Sequence, residues 1–144
     1  MFSNNLICDI LVYINDNLKY KISIQDLEKR FYYNRYYIMK LFKKEIGITI
    51  TQYINSLKIY NSINDIKNSN NTLTSIALRN GFYSLEYFSE TFKQITKLSP
   101  KVFKDYFHNN IYISDKNISL IQLSFIKLYN IHQLKDTYLA NKKP

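Results

Sequence analysis

An internal repeat constrains this chain more than any other feature of its 144 residues. The segment FKKEIGITITQYI begins at Phe42, and FKQITKLSPKVFK begins at Phe92. The same pattern precedes each copy: a short segment with helical apolar spacing, a turn, and a second segment with two large inward residues. These residues are Ile38 and Phe42 in the first copy and Phe88 and Phe92 in the second. A short helix, a tight turn and a second helix form a helix-turn-helix unit. The repeat therefore predicts two such units.

Apolar spacing and capping residues predict helices throughout the first 107 residues. Polar residues that can cap a helix precede the apolar segments: Ser23 with Asp26, Asn34, Thr49 with Gln52, Thr72, Ser84, and Ser99 before Pro100. The pattern predicts an all-α fold of seven helices in one domain over 1–107. Its parts are a helix-turn-helix over about 23–47, a linker helix over about 49–68, a second helix-turn-helix over about 72–95, and a helical C-terminal extension over 108–144.

Gly81 is one of only two glycines, and it falls at the predicted turn of the second unit. A positive φ or a close helix crossing would exclude a Cβ there. Ala77, four residues earlier, is small enough for the two helices to approach. We therefore expect Gly81 and Ala77 to be structural turn residues.

The chain carries a net charge of +9, which favours a polyanionic partner. Nucleic acid is the first candidate, an acidic membrane surface the second, and a basic protein that is merely soluble remains an alternative.

A single cysteine, Cys8, cannot form an internal disulfide, and the sequence has no zinc-type spacing. No metal or cofactor is expected. The N-terminus does not resemble a signal peptide and no apolar stretch is long enough to span a bilayer, so we expect a cytoplasmic protein without a membrane partner.

Three stretches resemble the DNA-binding domain of the AraC/XylS transcription regulators: FKKEIGITITQYINSLKI from Phe42, TSIALRNGF from Thr74, and YFSETFKQITKLSPKVFK from Tyr87. The resemblance covers about Ile7 to Phe107 and is greatest for single-domain members of the MarA type. It implies a regulator, most simply an activator, that binds double-stranded DNA and contacts RNA polymerase.

Two positions of the first unit depart from the family pattern. Its usual alanine and glycine are replaced by Glu28 and Tyr32. A bulky residue is unfavourable at positive φ, so we expect a shifted turn. In the linker helix, Lys58 replaces a common arginine, which keeps the charge but loses the forked hydrogen bonding.

The helix after Asn34 is the predicted recognition helix of the first unit. Its outward residues, which match the base-reading positions of the family, are Tyr36, Met39 and Lys40, and the predicted backbone contacts are Arg35, Lys43 and Lys44. Lysine can donate to guanine, and apolar atoms can contact thymine methyls. From Lys29 to Lys44 the sequence has six basic residues and no acidic one. A solvated basic face is the alternative interpretation.

The second recognition helix is predicted after Ser84. The resemblance assigns base contacts to Leu85, Glu86, Ser89 and Glu90, and we assign a backbone contact to Lys93. Glu86 lies in the first turn, where a carboxylate favours the helix dipole. Glu90 lies beyond that turn, at a position that is arginine in many relatives. Aromatic stacking of single strands is disfavoured, because the phases of Tyr33, Phe82, Phe88, Phe92 and Phe103 predict core positions.

The remaining alternatives concern the linker and the C-terminal segment. A linker of twenty residues, Thr49–Asn68, would be about 30 Å long, close to the roughly 34 Å between successive major grooves.

The segment 118–139 either packs on the domain or pairs with another copy or another protein. A protein-interaction module that antagonises a related regulator and binds DNA weakly is therefore the rival function. An enzyme is not expected, because no phosphate loop and no nucleophile–base pair stands out.

Overall fold

The protein is all-helical throughout the part of the chain that the structure describes. The computed structural model describes residues 5–109, 136 and 139–141. Between residues 5 and 109 the helices are α1 (Asn5–Asp16), α2 (Ile24–Phe31), α3 (Arg35–Ile46), α4 (Ile50–Asn68), α5 (Leu73–Arg79), α6 (Leu85–Thr96) and α7 (Pro100–Asn109). The predicted fold class is thus confirmed over these residues. The helix predicted within 118–139 lies almost entirely outside the described residues.

The helices begin at the polar residues that the sequence indicates. Ser23 caps α2: its Oγ accepts from the Asp26 N–H at 3.2 Å, and the Asp26 carboxylate accepts from the Ser23 N–H at 2.9 Å. The hydrogen bond from the Ser23 N–H holds the pKa of the Asp26 carboxyl below its usual value. Thr49 and Gln52 form the same reciprocal pair before α4, at 3.1 and 2.9 Å. Such pairs satisfy N–H groups that have no partner within the helix.

Contacts divide the described residues into two compact units: residues 5–54, 136 and 139–141 belong to the first and residues 55–109 to the second. In the first unit α1 and α2 pack against α3. The fully buried apolar residues of this core are Ile7, Ile10, Leu11, Ile14, Leu27, Ile38, Phe42 and Tyr53. The Phe42 and Tyr53 rings meet edge to face at 5.7 Å. Burial raises the pKa of Tyr53 to about 12, although the Asn15 amide donates to its hydroxyl at 3.3 Å.

The second unit is built around a row of phenylalanine rings. Phe82 contacts Phe88 at 5.2 Å, Phe88 contacts Phe92 at 5.6 Å, and Phe92 contacts Phe103 at 5.1 Å, all edge to face. Edge-to-face pairs add about 0.5–1.5 kcal/mol each beyond their buried area. These four rings are buried, as predicted, and they share one core with Ile76 and Ala77 of α5. Within the described residues, none of the helices has both the length and the apolar character to cross a membrane.

Candidate nucleic-acid interface

The turn of the second unit has the geometry that Gly81 was predicted to provide. Gly81 has φ 84°, a conformation that a residue with a Cβ enters at a cost. The carbonyl of Ala77 accepts from the Asn80 N–H at 3.2 Å and the Phe82 N–H at 3.0 Å. Ala77 is fully buried. The turn therefore fixes the direction in which α6 leaves α5.

The turn of the first unit is not shifted, and that prediction is wrong. Tyr32 itself takes the left-handed conformation, with φ 60° and ψ 37°, and its N–H donates to the Glu28 carbonyl at 2.9 Å. The side chain is 90% exposed. A left-handed residue with a Cβ costs about 1–2 kcal/mol. The turn is retained because burial of Ile38 and Phe42 fixes the position of α3. The free energy of that burial offsets the backbone strain at Tyr32.

Glu28 pairs with Arg35, which the sequence pattern did not indicate. One carboxylate oxygen lies 2.9 Å from the guanidinium Nη2 and accepts from its Nε at 3.0 Å. The other oxygen accepts from the Arg35 backbone N–H at 3.0 Å. The residue that replaces the small helix residue of the family thus holds the start of α3 and offsets the charge of Arg35. Arg35 is consequently the least available of the predicted backbone contacts.

The outward face of α3 carries the residues predicted to contact DNA. Tyr36, Met39, Lys40, Lys43 and Lys44 are all exposed, and the Tyr36 side chain is 74% exposed. Ile38, Phe42 and Ile46 are buried on the opposite face. The helix thus presents a polar and basic surface that also contains two apolar groups able to contact bases.

A stacked pair of tyrosines stands at the start of each recognition helix. Tyr33 and Tyr37 stack at 5.3 Å between centroids, and Tyr83 and Tyr87 stack at 5.2 Å. Tyr33 is 48% exposed, so its predicted core position is wrong. Helical phase failed here because Tyr33 precedes the cap and lies outside the helix. In the first unit, the Tyr33–Tyr37 pair adds exposed ring surface next to the predicted base-reading residue Tyr36.

The outward face of α6 is acidic where that of α3 is basic. Glu86, Glu90 and Lys93 are exposed, and Ser89 is half-buried. Leu85 is also half-buried and packs against the phenylalanine core, so the prediction that it faces outward is wrong in part. It is the first residue of the helix, where the preceding turn brings it over the core. Glu86 and Glu90 are therefore the most accessible of the predicted second-unit base contacts.

Lys58 supports the turn of the second unit from within. Its Nζ donates to the Gly81 carbonyl at 3.0 Å and lies 5.7 Å from the centroid of the Phe82 ring. The residue is only 8% exposed, and burial lowers the pKa of its ammonium group. From the sequence, only the positive charge of Lys58 in place of the usual arginine was predictable. Its contact with Gly81 forms only in the folded unit.

Comparison with known proteins identifies the class of protein to which this fold belongs. A family model described as "Helix-turn-helix domain" matches residues 27–106. The multiple antibiotic resistance protein MarA of Escherichia coli is 33% identical over 95 residues, which are 66% of this chain and 75% of that protein. The transcriptional activator AarP of Providencia stuartii is 27% identical over 103 residues, 72% of this chain and 76% of that one.

A solved structure supports the same fold. The DNA-binding domain of the global transcriptional factor AdpA, crystallised with a target DNA, aligns with a TM-score of 0.67 and 16% identity over 72% of this chain and 94% of that one. The family model and these relatives place the chain among transcription regulators. The chain belongs to the AraC/XylS family of DNA-binding transcription regulators.

Proposed function

We propose that this protein is a sequence-specific transcription activator that binds an asymmetric duplex site through α3 and α6. The observation that carries the proposal is the division of α3 into a buried apolar face and an exposed face with Tyr36, Met39 and Lys40. Such a helix can enter a major groove, where lysine donates to guanine and apolar atoms meet thymine methyls. Activation is proposed by analogy with AarP, which is described as a transcriptional activator.

The first unit supplies most of the affinity in this proposal. Residues 23–47 contain six basic and three acidic side chains, and Glu28 is occupied by Arg35. Lys40, Lys43 and Lys44 are exposed, and because Lys43 and Lys44 follow Lys40 by three and four residues, they share one side of α3. Lysines so arranged can neutralise phosphates along one groove edge, and this term dominates non-specific affinity.

The second unit contributes selectivity rather than affinity. Residues 72–95 contain two basic and two acidic side chains, and Glu86 and Glu90 are both exposed. A carboxylate close to phosphates is repelled, although it can accept a hydrogen bond from cytosine. We therefore propose that α6 rejects many sequences and holds few of them tightly.

Entry of α3 and α6 into adjacent major grooves is proposed from the length of the linker helix. The nineteen residues of α4 correspond to about 28 Å of helix. Successive major grooves on one face of a duplex recur about every 34 Å. One chain would then contact two grooves, as a two-fold dimer does in other helix-turn-helix proteins.

Selection of bound duplexes from a random pool tests this function. We expect enrichment of a single asymmetric motif. The variant Tyr36→Ala should change the preferred bases in one half of the motif only, because α3 reads that half. The variant Tyr60→Ala is the matched control, since Tyr60 is an exposed tyrosine of α4 outside the recognition helices, and its motif should be unchanged. A pool without any enriched motif would favour the interaction module instead.

A further inference from the structure

A pocket of about 720 Å³ opens in the first unit between the start of α2, one side of α3 and the start of α4. Its volume falls within the roughly 300–1,000 Å³ of small-molecule sites. The apolar lining includes Ile22, Ile24 and Ile50, which are half-buried, above the buried side chains of Leu27 and Ile54. Tyr36 and Met39 line the same pocket from α3. An apolar body of moderate size would lie against these walls with one side open to solvent.

The charged side chains that line this pocket are all positive. Lys40, Lys43 and Lys44 line it, and neither an aspartate nor a glutamate does so among the described residues. The nearby carboxylate of Asp26 is held by the Ser23 N–H at 2.9 Å. The first residues of α2 and α4 also border the pocket, and a helix start adds positive partial charge. The fixed charge therefore selects an anion.

We propose that the pocket binds a small amphiphilic anion, with its apolar body against Ile22, Ile24 and Ile50 and its charged head among the three lysines. Apolar walls with a few convergent polar groups are typical of ligand sites. A neutral apolar molecule lacks the electrostatic contribution, and a cation is repelled. An inorganic phosphate gains nothing from the apolar walls.

Bound anion and duplex DNA would compete for the same residues. Tyr36, Met39, Lys40 and Lys43 line the pocket and are also the predicted DNA contacts of α3. An anion here would neutralise lysines and occupy the groove-facing side of the helix. This second part rests on the proposed function, whereas binding of the anion itself does not.

Alkanesulfonates test the site, because a sulfonate stays ionised across the working pH range. Titration calorimetry on the full chain compares hexanesulfonate and octanesulfonate with octanol and octyltrimethylammonium. We expect each added methylene to tighten binding about fourfold, the fold-change that corresponds to about 0.8 kcal/mol per buried CH₂. Octanol should bind at least about tenfold more weakly than octanesulfonate, and the cation should not bind. Equal affinity for octanol and octanesulfonate, or no binding of either, would overturn the proposal.

Two matched variants locate the site. Thr51→Glu places a carboxylate at the pocket, at the second residue of α4, and should weaken octanesulfonate binding about tenfold, as like charges repel. Thr74→Glu makes the same exchange at the second residue of α5, also an exposed position after a threonine cap, and should leave binding unchanged. A carboxylate in the first helical turn is compatible with helix stability, and thermal melts confirm that both variants fold. Equal losses in the two variants would show that binding is not at this pocket.

Displacement by DNA separates the two parts of the proposal. If octanesulfonate raises the apparent Kd of a bound duplex in proportion to its own occupancy, the overlap is supported. Independent binding of duplex and sulfonate would overturn the overlap. If no duplex binds at all while the sulfonate binding and the two variants behave as expected, the proposed function fails and the anion site stands.

Discussion

Tyr32 shows how one residue of the first unit carries local strain for the sake of the fold. It stands at a left-handed turn position with 90% of its side chain exposed, so burial of the ring does not offset the backbone cost. Its second-unit counterpart is Gly81, which adopts the same region of φ. The first unit therefore has stability to gain from a single exchange at this turn.

We predict that Tyr32→Gly raises the free energy of unfolding by about 1 kcal/mol. The left-handed conformation costs a residue with a Cβ about 1–2 kcal/mol, and the extra freedom of glycine in the unfolded chain offsets part of the gain. Tyr33→Gly is the matched control: Tyr33 is not at positive φ and stacks on Tyr37, so this exchange should destabilise. Denaturant titration of both variants is the measurement. Destabilisation by Tyr32→Gly would mean that contacts of the Tyr32 side chain stabilise the fold by more than the backbone strain costs.

The buried ammonium of Lys58 predicts a dependence of stability on pH. Burial lowers its pKa in the folded state below the ordinary value of 10.5. Between its two pKa values Lys58 binds more protons in the unfolded chain, so its contribution to stability should rise as pH increases through this window toward 10.5, opposite in sign to that of Tyr53 above pH 10. Lys58→Met removes the ionisable group and should abolish that rise. A parallel pH dependence in parent and variant, measured by denaturant titration, would contradict the assignment.

At the scale of the element, α3 and α6 bury corresponding residues but differ in the charge of their exposed faces. Phe42 and Phe92 are buried at corresponding points of the two helices. Two residues before these phenylalanines the exposed side chain is Lys40 in α3 but Glu90 in α6, whereas the residue after each phenylalanine is a lysine, Lys43 or Lys93. Equivalent packing with different outward chemistry is the basis for assigning affinity to one unit and selectivity to the other.

We predict that Glu90→Gln raises affinity for random duplex and leaves discrimination among sites flat or lower. The exchange removes a charge that phosphates repel, while it keeps the shape and an acceptor oxygen. Binding to a preferred and a scrambled site is compared at one salt concentration. A loss of about tenfold on the preferred site alone, about 1.4 kcal/mol, would instead show that Glu90 reads a base directly.

Helix starts and buried faces were predictable from the sequence because their chemistry is local. Ser23 with Asp26, and Thr49 with Gln52, cap their helices through neighbours three residues away. The phenylalanine core followed from helical phase. The conformation of Tyr32, the pairing of Glu28 with Arg35, and the support of Gly81 by Lys58 were not predictable. Each depends on which elements meet in the folded unit.

At the scale of the whole molecule, we predict that a chain ending at Asn110 folds. The family model ends at residue 106, and the last of the described helices up to residue 109 is α7. The truncated chain should keep its helical circular dichroism and a cooperative melt. Loss of either would show that the segment after Asn110 belongs to the core. If the truncated chain folds and binds DNA, but its sedimentation coefficient falls by more than the lost mass explains, the removed segment is an oligomer contact.

The salt dependence of duplex binding tests the central claim, that α3 anchors this protein on DNA, most directly. Plots of log affinity against log salt should fall steeply for the parent, because each neutralised phosphate contributes a slope of about 0.9. Lys43→Ala should flatten the slope by about one unit and weaken all sequences alike. Lys93→Ala, the exchange at the corresponding position after the buried phenylalanine of α6, should change it far less. A parent slope near zero would contradict DNA binding, and equal slopes for the two variants would contradict anchoring by α3.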